Sequence, residues 1–231
     1  MPITIEHYDL TGRNAVVVSA ETPAGCAIAN AYEEAGARVK RLDTPTADTT
    51  RQAVARAAAE LGGIHILACA PDRFLAKPVT SISPDNLAAV LAANYTIPFY
   101  ACQAAIEAMD AQGTTGNIVL VTHVLGERGL PNTSAYAAAH GAVHNLIRAL
   151  AQETAPRGIL VNGVALGWMD WMQDRLEPDD PQAERAIRFT ISKRAGVPED
   201  VGPIAVWLSG TGVGFVTGQI FPVDGGLTQH L

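Results

Sequence analysis

Short β-branched runs alternate along this chain with longer segments whose apolar residues recur at helical spacing. The runs NAVVVS (14–19), ARVKRLD (37–43), IHILACA (64–70), NIVLVT (117–122), LVNGVA (160–165) and GQIFPV (218–223) read as strands, most of them apolar enough to be buried on both faces of a parallel sheet. Between them the pattern predicts helices over 25–36, 51–62, from Ser83-Pro84 through Asn94, over 99–113, from Thr133 or Ser134 to about Thr154, and over 198–209. Pro98 should interrupt the helix that carries Asn94. Gly36, Gly113 and the pair Pro156 and Gly158 punctuate helix ends. Regular strand–helix alternation predicts a single α/β domain over residues 1–231, a doubly wound parallel sheet with helices on both faces.

Composition narrows the partners. A chain of 231 residues that is 48% apolar suits one domain with a large core, and its formal charge of −7 argues against nucleic acid or an anionic membrane as the main partner. Cys26, Cys69 and Cys102 lack metal-ligand spacing and read as free thiols of a reducing compartment. MPITIEHYDL lacks the basic-then-apolar order of an export signal, and no apolar run reaches membrane-spanning length, so a soluble cytoplasmic protein is expected.

The chemistry concentrates between Gly116 and Pro156. His123 falls at the carboxyl end of a strand, where open α/β sheets place ligands, and Tyr136, His140 and His144 share one helix face at a spacing of four. A phenol among imidazoles is proton-transfer equipment. A metal site built from His123, His140 and His144 is not expected, because H-x-x-x-H here lacks the accompanying glutamate of a metalloprotease motif.

A Tyr opening a small-residue helix, with a polar residue thirteen positions upstream and a basic one four downstream, resembles the active-site segment of short-chain dehydrogenases/reductases. GILVNGVALG (158–167), KRAGVPEDVGPIAVWLSG (193–210) and FVTGQIFPVDGG (215–226) resemble the same family, so the likeness spans nearly the whole chain. It implies a Rossmann-like fold and a catalytic tetrad in which Tyr136 matches the Tyr and Asn94, in LAANYTIPF, matches the Asn; His123 stands at the Ser position and His140 at the Lys position.

On the cofactor side, the family's T-G-x-x-x-G-x-G aligns with residues 18–25 and retains only its last glycine, Gly25, which serves close helix–strand packing. Pro23 removes an N–H donor from this turn and Glu21 adds a negative charge. Asp43 stands where relatives that prefer NAD bind the ribose hydroxyls, and Ala70 keeps the alanine of an Asn-Asn-Ala-Gly turn that here reads Cys69-Ala70-Pro71-Asp72. If a cofactor binds, the resemblance implies NAD, with Gly25, Asp43 and Ala70 as contacts. TPTADTT leads at once into the next helix, so about twenty residues of a usual βαβ unit are missing and the third-strand region should be shortened. Residues 168–195 occupy the place of a substrate-covering loop, and Trp168, Met169, Trp171 and Met172 read as packing within it.

Three functions remain open from the sequence. The chain is a non-catalytic or weakly catalytic family member that pairs with an intact homologous subunit, or an NAD(P)-dependent oxidoreductase on a small alcohol or ketone using Tyr136 with His140 and His123, or a cofactor-independent acid–base lyase of the kind halohydrin dehalogenases exemplify on this fold. In each case the Ala-rich helices over 97–112 and 134–155 are expected to form the interface of a homo- or hetero-oligomer.

Overall fold

The structure is a computed structural model and describes residues 5–175 and 182–229. Six strands, β1 (Asn14–Val18), β2 (Arg38–Leu42), β3 (Ile66–Cys69), β4 (Gly116–His123), β5 (Ile159–Leu166) and β6 (Ile220–Val223), form one parallel sheet in the order β2-β1-β3-β4-β5-β6. Every residue of β3 and β4 is buried, as the unbroken apolar runs require of strands covered on both faces.

Helices α1 (Pro23–Glu34) and α7 (Gly202–Ser209) cover one face, and α2 (Ala47–Leu61), α4 (Ile97–Gln112) and α5 (Ser134–Thr154) cover the other. Two apolar layers result, one around Val16, Leu67, Ile118 and Ile147 and one around Val17, Ile28, Val119 and Val164. They are the alternate faces of the same strands. The chain passes from β2 through α2 to β3, which pairs with β1 on its other side. Strand β2 is therefore the sheet edge, and the outer strand that a doubly wound sheet places beyond it is absent among the described residues. The shortening expected after β2 is thus the loss of that strand.

One expectation fails. Pro98 does not break the helix after Ser83: α3 (Pro84–Leu91) passes through a π-helical turn (Ala92–Thr96) directly into α4. The wider turn accommodates a proline that donates no hydrogen bond, and Asn94 lies buried within it. Ser83 caps α3 as expected, its hydroxyl accepting from the Asn86 N–H at 3.1 Å. Thr133 precedes α5 but spends its hydroxyl on the Leu130 carbonyl and N–H instead of capping.

The turn after β1 follows from two backbone facts. Ser19 takes a left-handed conformation with φ 62°, uncommon outside glycine, at the position where the family pattern has its first glycine. A Cβ on Gly25 would lie 2.1 Å from the Ser19 carbonyl oxygen, so α1 packs against the end of β1 only because residue 25 has no side chain. Gly25→Ala is expected to destabilise the fold towards the upper end of the ~1–3 kcal/mol typical of overpacking, measured by urea unfolding. Gly129→Ala, whose new Cβ would meet nothing nearer than 3.9 Å, should stay within about 0.5 kcal/mol of the parent.

Candidate active site

The carboxyl ends of β3, β4 and β5 and the starts of α1 and α5 converge on a narrow cavity of about 10 Å3, lined by Thr22, Pro23, Ala70, Asp72, Thr122, His123, Tyr136, His140, Trp171 and Met172 among others. That volume is at the lower limit for a single water. Parallel strands carry ligands at this edge because the crossover turns open there.

Tyr136, His123 and His140 come together as the sequence suggests. The Tyr136 ring packs edge to face with both imidazoles, with centroids 4.3 Å apart for His140 and 5.5 Å for His123, and the two imidazoles lie tilted to one another at 6.1 Å. The Tyr136 hydroxyl donates to Asp72 Oδ1 at 2.9 Å, and Arg175 Nη2 donates to Asp72 Oδ2 at 2.6 Å. Phe74 packs edge-on against the Tyr136 ring at 5.2 Å, and the Arg175 guanidinium lies over Phe74. The phenol is thus held by a carboxylate from the loop after β3, and that carboxylate is tied to the segment after β5.

This surrounding fixes the charge states. Burial pushes the Tyr136 hydroxyl well above its usual range, and the Asp72 carboxylate adds to that because a phenolate beside it would be repelled. Burial lowers His123 to about 4 and His140 to about 3, with the neighbouring imidazole a further cause for His140. Both are neutral near pH 7. His123 Nδ1 accepts from the Leu125 N–H at 3.1 Å, which leaves its proton on Nε2. His140 Nδ1 shares a hydrogen bond of 3.0 Å with the Thr122 hydroxyl, and its Nε2 is buried with no partner among the described residues. His144 is also buried, behind Gly126, and burial lowers its pKa. Among the described residues, no group of three His, Cys, Asp or Glu side chains is arranged to hold a metal ion.

Asn94 is one step removed from the rings. Its side-chain amide donates to the Arg73 carbonyl and accepts from the Arg73 N–H, both at 2.9 Å, and so fixes the loop that carries Asp72. Ala70 lines the cavity, and its carbonyl accepts from the Thr22 hydroxyl at 3.0 Å. Gly25 donates its N–H to the same hydroxyl, which also donates to the Ser19 carbonyl. Pro23 starts α1 without an N–H, the Gly25 N–H is spent on the Thr22 hydroxyl and the Cys26 N–H on the Thr22 carbonyl. Glu21 crosses to the end of β2 and accepts from the Thr44 N–H at 3.0 and 3.1 Å and from its hydroxyl. Asp43 is exposed and has no partner among the described residues. A pyrophosphate at this helix end would draw on the N–H groups that Thr22 does not take, and the cavity over Tyr136 as it stands is smaller than a nicotinamide ring.

Two central residues escape sequence reasoning. Asp72 was legible only as the lost glycine of the Asn-Asn-Ala-Gly turn, although its gained carboxylate was a signal in its own right. Arg175, 103 positions away from Asp72, carried no signal. Trp171 and Met172 line the cavity from the segment after β5, and Met169 and Met172 are buried in the apolar layer with Val164 and Leu166. Residues 176–181 of that expected segment, like residues 1–4 of the N-terminal stretch, lie outside the described residues. No helix among the described residues is long and apolar enough to cross a membrane.

Comparison with known proteins supplies the lineage. The family model described as Enoyl-(Acyl carrier protein) reductase matches residues 7–228. The chain is 34% identical over 225 residues to a cis-4-hydroxycyclohexanecarboxylate dehydrogenase of Sinomonas cyclohexanicum, covering 95% of this chain and 89% of the relative. It is 40% identical over 145 residues to a Xanthobacter autotrophicus protein named inactive 2-(S)-hydroxypropyl-CoM dehydrogenase 2, covering 60% of this chain and 62% of that one. A crystal structure of a gluconate 5-dehydrogenase from Burkholderia cenocepacia, in complex with NADP and tartrate, superimposes with a TM-score of 0.87 at 26% identity over 97% of this chain and 98% of that one. With this match over nearly its full length, and with the six-stranded sheet that carries Tyr136 at its carboxyl edge, the chain belongs to the short-chain dehydrogenase/reductase family of oxidoreductases.

Proposed function

We propose that this chain is a non-catalytic or weakly catalytic member of its family, with an altered cofactor loop, that serves as a subunit beside an intact homologue. One observation carries the reading: the Tyr136 hydroxyl is bound to Asp72, itself paired with Arg175, while the position of the family's lysine holds a buried neutral imidazole. Hydride transfer in the family's manner needs a tyrosine whose proton leaves readily, helped by a nearby positive charge. Here burial and the Asp72 carboxylate hold the proton in place against the opposing Arg175 guanidinium, and His140 supplies no charge. Ser19, Pro23, the engaged Thr22 hydroxyl and the Glu21–Thr44 contact support an altered loop, and a relative named inactive gives the reading a precedent. Helices α4 and α5 are the proposed interface of a homo- or hetero-oligomer, and residues 168–195 the proposed covering segment.

The second reading, an active NAD(P)-dependent dehydrogenase using Tyr136 with His140 and His123 and contacting the cofactor through Gly25, Asp43 and Ala70, draws on the dehydrogenase relatives. The two readings part on cofactor binding. Titrating the purified protein with NAD(H) and NADP(H), by calorimetry with thermal shift as a cross-check, should give no binding at about millimolar cofactor. A micromolar cofactor would instead stabilise the fold by ~2.7 kcal/mol at a hundredfold excess over its dissociation constant, and that result would move the assignment to the second reading.

A pH series tests the neutral imidazoles. Their folded pKa values, about 4 for His123 and about 3 for His140, lie below the 6.5 of an exposed histidine, so the unfolded chain takes up protons first as pH falls. The stability they contribute is whole above pH 6.5 and is lost between about 6.5 and 3, at a slope of about 1.4 kcal/mol per pH unit for each. His140→Gln should remove one such increment between pH 4 and 6 in urea unfolding. An unchanged slope would mean that His140 is protonated in the folded protein and available for the lysine's role.

A further inference from the structure

A second hollow lies on the far side of Asp72. It has a volume of about 360 Å3 and is lined by Asp72, Arg73, Phe74, Leu75, Asn86, Val90 and Arg175. That is at the small end of ligand pockets, and it shares only Asp72 with the cavity over Tyr136.

Its charges run against those of the molecule. The whole chain is formally −7, yet the lining holds two guanidiniums against one carboxylate, and Lys77 reaches Asn86 Oδ1 at 3.3 Å. Asp72 is already committed through Oδ1 to Tyr136 and through Oδ2 to Arg175. The cations are not equally spent. Arg175 keeps Nη1 buried without an acceptor among the described residues, and the exposed Arg73 guanidinium has no partner among them. Nη1 itself is closed to solvent, and Arg175 lines the hollow through the fifth of its side chain that is exposed. Phe74, Leu75 and Val90 give the same hollow an apolar wall.

We propose that this hollow between the loop after β3 and helix α3 binds a small organic carboxylate with an apolar body, its carboxylate taken by Arg175 and Arg73 and its body laid against Phe74, Leu75 and Val90. Planar guanidiniums with donors to spare match a carboxylate, and the apolar wall selects against inorganic anions. The proposal is independent of the cofactor question, since it uses neither the turn after β1 nor the proton of Tyr136.

Benzoate and its neutral isostere benzamide are suitable probes, titrated by calorimetry against the full chain without nucleotide. Benzoate should bind at least about tenfold more tightly than benzamide, and Arg73→Gln should remove about tenfold of benzoate affinity while leaving the melting temperature unchanged. Arg73 is exposed, so its loss leaves the fold intact. Equal affinity for the two probes, no benzoate binding up to about 10 mM, or an Arg73→Gln protein that binds benzoate as the parent does would each overturn the proposal.

Discussion

The carboxylate of Asp72 joins three parts of the molecule that the chain leaves far apart. It sits on the loop after β3, takes the proton-bearing hydroxyl of Tyr136 from the first turn of α5, and takes the guanidinium of Arg175 from the segment after β5. With Asp72 and Arg175 each mostly buried, this is a charge pair whose members stabilise one another chiefly because neither has water to turn to. The Asn94 amide, bonded twice to the Arg73 backbone from its π-helical turn, holds the loop that presents the carboxylate. The Tyr136 hydroxyl and the Arg175 guanidinium both rest on that one side chain, which also lines the hollow on the other side.

Electrostatically, Tyr136 stands in a dry setting between the opposed charges of Asp72 and Arg175. Burial and the Asp72 carboxylate raise the phenol's pKa, the Arg175 guanidinium opposes them, and two histidines made neutral by burial add no charge. Burial is also what keeps the imidazoles neutral. A protonated His140 would have to be desolvated beside Thr122 with its Nε2 unpartnered.

The turn after β1 rests on the left-handed Ser19 and on Gly25, where any side chain would collide; the Gly25 N–H goes to the Thr22 hydroxyl and the Glu21 carboxylate to Thr44. Fold and ligand chemistry are separable here because the same few residues serve both, and packing constrains only some of them.

The sequence by itself determined the α/β architecture, the six strands, the loss of the outer strand, the helix caps at Ser83 and Gly113 and the meeting of Tyr136 with His123 and His140. Those follow from local period, punctuation and spacing, which act over a few residues and leave a readable pattern. It misplaced the role of Pro98, because whether a proline breaks a helix or is absorbed by a π turn depends on the packing around it. Only the tertiary structure decided that Asp72 binds Tyr136, that Arg175 returns across 103 positions to hold it, and that Asn94 serves a loop. Pairings of that range leave no periodicity in the chain, since they arise from which carboxylate and which cation the fold happens to bury together.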